Sequence, residues 1–339
     1  MPSVANGTAA RGRVVAITGA SSGIGRCTAA LFSQNGWQVG LIARGVPGLE
    51  SVRYELESNG GSTTIIAADV SNAEALEQAA AHVEAALGPI DVWINCAGNG
   101  VFGTFLSVSD EEFRRVTDVT YIGTVNGTRA ALRRMLKRNS GTIVNVCSGI
   151  AHHGMPLLTS YSGAKHAVRG FTDAIRGELY EERSRVHITI VYPPAVNTPF
   201  FSHAISHMPK PPRPMRPVYQ PDVVAEGIFR AATSRRREVQ VGSVTIMFGF
   251  FSKLFPRLID NAIRRLGYNG QMTDSQEALR LRDPTVFTPS ITASGSYGSF
   301  GSEAKRFSFQ MWLSRHQLAV PTGLMISAVI VLMAWPWVR

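Results

Sequence analysis

The chain has 339 residues, of which 45% are hydrophobic and 17% charged, and its formal net charge is +10. That length and apolar content exclude a disordered or fibrous chain and provide for one large domain with a buried core and an appendage; the charged fraction is low for a chain wholly in water. The positive balance favours anionic headgroups or a phosphorylated cofactor over nucleic acid, because the basic residues are scattered and the densest run, Arg235-Arg236-Arg237, is short.

Residues 1–11 are polar, lack the apolar stretch of a signal peptide and read as a disordered lead-in. From residue 12 short apolar runs alternate with amphipathic ones. Strands are predicted over residues 14–18, 39–43, 63–68, 92–95, 142–147, 186–192 and 238–241, and helices over 26–35, 73–86, 110–137 (broken near its start) and 161–182. This alternation predicts an α/β domain over residues 12–266, with a doubly wound parallel seven-stranded sheet and helices on both faces. Residues 246–266 are apolar on one side and read as a final helix packed on the core or a second subunit, with a bilayer surface as the alternative. Residues 267–316 read as a linker, since 283–302 are rich in Ser, Thr, Gly and Pro.

Residues 317–338 carry no Asp, Glu, Lys or Arg over 22 positions, and a membrane-spanning helix needs roughly 20. Pro321 suits a first helical turn, and Trp335 and Trp337 suit an interface. Lys305, Arg306, Arg315 and His316 precede the run and only Arg339 follows, which predicts a single-pass anchor with the domain on the cytoplasmic side. The three cysteines, Cys27, Cys96 and Cys147, lack metal-ligand spacing and read as small buried hydrophobes in a reducing compartment.

Two stretches carry chemistry. Thr18-Gly19-Ala20-Ser21-Ser22-Gly23-Ile24-Gly25 follows the first strand and opens a helix. Its glycines permit positive φ and close backbone approach, and the helix N-terminus offers free N–H groups to a pyrophosphate. The second strand ends at Arg44, and no acid lies between Gly25 and Glu50; an arginine there suits a ribose 2′-phosphate, so NADP(H) is expected over NAD. Further on, Tyr161 and Lys165 stand at i and i+4 and share a helical face. A neighbouring ammonium stabilises a phenolate and makes the tyrosine a usable proton donor or acceptor. Ser148 ends a strand thirteen residues earlier, within reach of the same carbonyl oxygen.

Together these pieces resemble the short-chain dehydrogenase/reductase family over roughly residues 12–245. Beside the glycine loop, Ser148 and the Tyr161/Lys165 pair, the matching segments are Asp69-Val70, Asn95-Cys96-Ala97-Gly98 and Pro193–Thr198, in the family's order. The resemblance implies a Rossmann-type fold, a ketone–alcohol oxidoreductase, and catalysis by Ser148, Tyr161 and Lys165. It assigns coenzyme contacts to Gly19, Ser21, Ser22, Gly23, Ile24, Gly25, Arg44, Asp69, Val70, Asn95, Ala97, Gly98, Tyr161, Lys165, Pro193, Val196 and Thr198, and it implies a dimer or tetramer through the helices at 118–137 and 161–182. Two positions depart. Thr120 stands where the family often has a catalytic asparagine; its hydroxyl or carbonyl is expected to serve the proton relay to the lysine, while Asn126 should point elsewhere. Pro194 replaces a glycine.

After Thr198, the prolines and apolar residues Phe200, Phe201, Met208 and Met215 suggest a hydrophobic, lipid- or sterol-like substrate. His152 and His153 carry no assigned role. Two other uses of the fold stay open: a non-catalytic nucleotide-binding scaffold, and a dehydratase or epimerase.

Overall fold

The computed structural model describes residues 12–315; the expected lead-in at 1–11 and the apolar span at 317–338 lie outside the described residues. Among the described residues, no helix is long and apolar enough to cross a membrane. The centre is a parallel sheet of seven strands: β1 (Val14–Thr18), β2 (Gln38–Ala43), β3 (Thr63–Ala67), β4 (Ile90–Asn95), β6 (Thr142–Val146), β7 (His187–Tyr192) and β11 (Glu238–Gln240). The intervening short strands, β5 (Val101–Phe102), β8 (Ala195–Val196), β9 (Ile205–Ser206) and β10 (Val218–Tyr219), stand outside this sheet. The order is β11-β7-β6-β4-β1-β2-β3. The chain winds outward from β1 to β3, crosses back to β4 and winds out the other way. The order therefore reverses between β1 and β4, and ligands of such sheets sit outside the carboxyl ends at that reversal.

Successive residues of β1 face opposite sides. Val15 and Ile17 join one cluster with Phe32, Val223 and Ile228, whereas Val14 and Ala16 join a second with Leu76, Val83 and Trp93. All four are fully buried, as expected for a parallel sheet covered on both faces. The first face is covered by α1 (Gly23–Gln34), α2 (Val46–Ser58) and, later in the chain, α8 (Pro221–Thr233); the second by α3 (Ala73–Leu87) and α5 (Gly123–Met135). Helices α2 and α8 escaped sequence reading because each has a proline in its first turn. Such a proline costs no intrahelical bond, but beside Gly45 and Gly48, or after the proline-rich 209–217, it resembles a breaker. The long helix expected over 110–137 comprises α4 (Asp110–Thr117), a π-helical turn (Asp118–Ile122), α5 and a closing 3-10 turn. The single helix expected over 246–266 is two, α9 (Ser243–Leu254) and α10 (Pro256–Leu266), parted where Pro256 has no N–H to continue the ladder.

The linker expected over 267–316 is corrected: it folds onto the domain. Helices α11 (Gln276–Arg280) and α12 (Phe309–Arg315) lie in it, and β12 (Ala304–Lys305) joins β10 and β8 in a second parallel ladder. A polar, proline- and glycine-rich composition cannot make a core of its own, but its unpaired backbone carbonyls can be held by cations of a neighbouring surface.

At the carboxyl ends of β4 and β6 lies a buried polar chain. Asn95 Nδ2 donates to Asn145 Oδ1 at 2.8 Å and to Thr128 Oγ1 at 3.1 Å, and Asn95 Oδ1 accepts from Trp93 Nε1 at 2.8 Å. Asn145 Nδ2 continues to Thr172 Oγ1 at 2.9 Å on α6 (Thr159–Glu181). Satisfied networks of this kind fix one arrangement, and removal of one member strands the rest. Asn95→Ala should cost about 2–3 kcal/mol of stability, read as a Tm lowered by several degrees, with coenzyme affinity of the folded protein unchanged. A loss of coenzyme affinity without a Tm shift would contradict this structural role.

Candidate active site

The glycine loop is fixed from below. Thr18 Oγ1 accepts from Cys96 N at 3.1 Å and Ala97 N at 3.3 Å, which ties the end of β1 to the end of β4. Gly19 has φ +71°, and a Cβ there would lie 2.8 Å from the Ala97 Cα; a Cβ on Gly25 would lie 2.2 Å from the Gly19 carbonyl oxygen. Both positions accept only glycine. Helix α1 opens on Ser22 with no side-chain cap and no acid in its first turn, which leaves a positive dipole end suited to an anion.

Above the loop lies a cavity of about 560 Å³. Ser21, Ser22, Gly23, Ile24, Arg44 and Asp69 line one end, and Ser148, Tyr161 and Lys165 meet further along it. Gly19, Gly25, Val70, Ala97, Gly98, Pro193, Val196 and Thr198 also line it. Asn95 does not, and that expectation is corrected: its side chain is consumed by the core network. Asn99, which sequence reasoning missed, lines the cleft with a buried Oδ1 that has no hydrogen-bond partner among the described residues. The cradle of glycines, the uncapped helix end and this orphaned acceptor fit a dinucleotide.

The catalytic end is assembled by β6 and α6. Lys165 is buried, and its Nζ donates to the Val146 carbonyl at 2.8 Å, at the last residue of β6. Its ammonium lies 5.5 Å from the centre of the Tyr161 ring. Ser148, two residues beyond Val146, hydrogen-bonds the Tyr161 hydroxyl, and its Oγ also accepts from Ile150 N at 3.3 Å. Burial pushes the Tyr161 phenol above its ordinary value, against the pull of the Ser148 hydrogen bond. Burial also lowers the Lys165 ammonium. Desolvation thus outweighs the simple expectation that the ammonium makes the phenol acidic. The same environment pushes the Cys147 thiol up to about 11 and those of Cys27 and Cys96 up to about 12; all three are free, as small apolar fillers would be.

Thr120 is not in the cavity wall. It lies in the π-helical turn, fully buried; its Oγ1 sits 3.4 Å from both Asn99 N and Asn99 O, and its carbonyl accepts from Thr124 Oγ1 at 3.0 Å. The hydroxyl braces the chain after Gly98, and the carbonyl holds Thr124 at the start of α5. Asn126 points elsewhere, as expected, and donates to the carbonyls of Val70 and Ser71 at 3.0 and 3.2 Å.

Arg44 stands at the end of β2, but its guanidinium is engaged. It donates to the carbonyls of Thr285, Val286 (3.3 Å) and Phe287 (3.0 Å) and lies 3.8 Å from Asp69. Arg115, on α4, binds Asp69 and donates to Val286 O at 3.1 Å. Val286 is buried against Val101 and Val116. Further along, Gly295 O accepts from Gly23 N at 3.0 Å and Ser294 Oγ lies 2.9 Å from His203 Nε2. Residues 283–302 are therefore a strap over the dinucleotide end, with Thr285, Ser290, Thr292 and Ser294 in the cavity wall.

The other end is apolar. Phe102, Met155, Leu158, Phe200, Phe201 and Met215 line it, joined by Phe248 of α9 and Ile259, Ile263 and Leu266 of α10. Met208 packs behind, in the cluster with Phe102 and Leu158. Helix α9 is aimed by Gly242, whose φ of +80° favours glycine and where a Cβ would press on the Tyr219 ring at 3.1 Å. His152 stacks on Tyr192 at 4.7 Å, and His153 Nε2 holds Asp260 of α10 at 3.0 Å.

The short chain dehydrogenase profile matches residues 13–208. The chain belongs to the short-chain dehydrogenase family. Within the family it is 34% identical over 261 residues to the oxidoreductase YxnA of Bacillus subtilis (strain 168), covering 76% of this chain and 73% of that one. It is 31% identical over 240 residues to the 3-ketodihydrosphingosine reductase of Bos taurus, covering 68% and 72%. An alcohol dehydrogenase from the archaeon Thermococcus sibiricus, solved with 5-hydroxy-NADP, superposes with a TM-score of 0.59 at 28% identity over 69% of this chain and 97% of that one. The protein is thus an oxidoreductase of a family that binds a nicotinamide dinucleotide.

Removing the Arg44 guanidinium strands three strap carbonyls. Bonds from a charged donor contribute about 1.5–3 kcal/mol each, so Arg44→Ala should expose residues 283–302 to limited proteolysis that the wild-type protein resists. Equal protection in the two proteins would show that Arg44 does not hold the strap.

Proposed function

We propose that this protein is an NADP(H)-dependent carbonyl reductase or alcohol dehydrogenase acting on a hydrophobic, lipid-like substrate. One observation carries the reading: Ser148, Tyr161 and Lys165 meet where a polar dinucleotide cleft turns into an apolar chamber. The 3-ketodihydrosphingosine reductases among the relatives support a lipid-like ketone. Arg44 supports NADP(H), since its fork retains donors beyond those used by the strap. Residues 317–338 would hold the domain at a membrane.

A bound nicotinamide dinucleotide supplies the hydride. The chain supplies the proton and the geometry. With its phenol kept protonated by burial, Tyr161 Oη gives its proton to the carbonyl oxygen, and Ser148 Oγ donates to the same oxygen. Lys165, held on Val146 O, keeps a cation beside the phenolate that results. The Gly19–Gly25 cradle and α1 would hold the pyrophosphate, and Val70, Ala97 and Gly98 would frame the adenosine half. Pro193, Val196 and Thr198 would frame the nicotinamide. A non-catalytic scaffold has no use for a buried lysine aimed at a tyrosine ring, given what burying an ammonium costs.

Tyr161→Phe should lower kcat for carbonyl reduction by about 10²- to 10⁴-fold while NADPH binding, followed by fluorescence, stays intact. Turnover equal to wild type would remove Tyr161 from the chemistry. The pH dependence follows from two opposite shifts. The phenol, shifted upward, is protonated at neutral pH. As pH rises, Lys165 loses its proton below the ordinary lysine range, before the phenol. Reduction should therefore fall as pH rises, with the limb displaced upward in Lys165→Arg. A rate that does not fall with rising pH, or a limb unmoved in that variant, would contradict the assignment.

A further inference from the structure

Helix α10 poses a packing problem. Its eleven residues are strongly amphipathic, yet none is buried. Ile259, Ala262, Ile263 and Leu266 repeat at helical spacing along the cavity mouth. Beside them Leu254, Phe255 and Leu258 are 55%, 47% and 65% exposed, and Leu266 is itself 65% exposed. Helices this short are marginal in water without a partner for their apolar face, and a contiguous patch of large exposed apolar side chains marks a docking surface.

The surrounding charge selects the occupant. Residues 253–265 carry Lys253, Arg257, Arg264 and Arg265 against the single acid Asp260, and that carboxylate is already held by His153 at 3.0 Å. A second copy docked through this face about a twofold axis would set one cationic rim against another. An anionic bilayer complements it: apolar side chains enter the acyl region and the arginines meet phosphates. The position of the chain's exit agrees. Gln310 Oε1 of α12 accepts from Gly242 N, immediately before α9, at 3.0 Å, so the described chain leaves at Arg315 close to the start of the same hairpin. Residues 317–338, the uncharged run, follow directly.

We infer that the α9–α10 hairpin is a lipid-docking surface: Leu254, Phe255 and Leu258 insert into an anionic leaflet, Lys253, Arg257, Arg264 and Arg265 bind its phosphates, and the apolar chamber opens into the membrane beneath α10. This deepens the reading of a lipid-like substrate and rests on it only for the purpose of the opening. A hydrophobic ketone then enters sideways from the leaflet without crossing water.

The test uses the full chain reconstituted in phosphatidylglycerol/phosphatidylcholine vesicles, with an environment-sensitive dye on Leu258→Cys and, as a control, on Tyr54→Cys, which is exposed on α2. The dye at 258 should shift to the blue and be quenched by lipids spin-labelled in the acyl chain, and the dye at 54 should not. Raising salt or omitting the phosphatidylglycerol should weaken the quenching at 258. A dye at 258 that stays solvent-like while the protein is vesicle-bound overturns the inference, as does protection that depends on protein concentration and not on lipid, which would assign the face to a second copy. In the companion measurement, Leu254→Asp/Leu258→Asp should lower kcat/KM for a long-chain ketone presented in vesicles by about tenfold or more, with turnover of a short water-soluble ketone unchanged. Equal loss on both substrates overturns the membrane role in favour of a structural one. Failure of the wild-type protein to reduce either ketone would instead count against the proposed reaction, and the quenching result would still decide the docking surface.

Discussion

A single buried cation organises the catalytic end of this protein. Lys165 gives its ammonium to the Val146 carbonyl at 2.8 Å, and burying such a group costs several kcal/mol unless neighbours compensate. Compensation requires the last carbonyl of β6 to stand at one distance from α6. The Asn95–Asn145–Thr172 chain sets that distance, because it ties β4 to β6 and β6 to α6 through satisfied buried bonds. Once Lys165 is fixed, Tyr161 one turn earlier and Ser148 just past β6 have little freedom left. The geometry of the site is thus inherited from the polar core beneath it. Asn95 contributes through that core and not through the coenzyme.

The strap answers a different constraint. Open α/β sheets leave their ligand crevice exposed at the strand ends, and here residues 283–302 cover the dinucleotide half of it. Beside the buried Val286 and Phe300 they present backbone carbonyls, and therefore need donors on the domain. Arg44, Arg115 and the Gly23 amide supply them. Under the proposed cofactor placement two of these, Arg44 and Gly23, would also face the phosphates of a dinucleotide, so the strap and the cofactor would be read by the same residues. Coenzyme specificity and strap closure would not vary independently in such an arrangement.

What the sequence disclosed follows from the range of each interaction. The turn from β1 into α1 and the Tyr161/Lys165 pair are local, a few residues long, and their spacing carries the chemistry. The seven strands were legible because both faces are covered and the apolar runs are nearly continuous. Helices α2 and α8 were hidden by prolines at their first turns. The strap was hidden for a different reason. Arg44 and Thr285 are 241 residues apart, and nothing in a run of serines, threonines, glycines and prolines announces which distant cation will take its carbonyls. The partners of Thr120, Asn99 at its hydroxyl and Thr124 at its carbonyl, were equally hidden, the first because it comes from a different loop.

The chamber divides along its length, and this division constrains how a substrate lies in it. Beside Tyr161 the phenol and the Ser148 hydroxyl suit a polar oxygen, whereas Phe102, Phe200, Phe201, Phe248, Ile259 and Ile263 offer nothing to satisfy one; Thr245, Arg213, Arg216 and Gln271 also stand in the wall. Burying an unpaired polar group there costs more than burying it beside Ser148 gains. Under the proposed reaction, a ketone flanked by a long alkyl chain therefore has one favourable orientation, with the carbonyl inward and the chain toward α10. A second polar group along that chain would meet Arg213, Arg216 or Gln271 in the wall, or reach past Leu266 to Arg264 and Arg265. Under the proposed reaction, selectivity among lipid ketones would then follow where along the chain such a group falls before it followed the chemistry of the carbonyl itself.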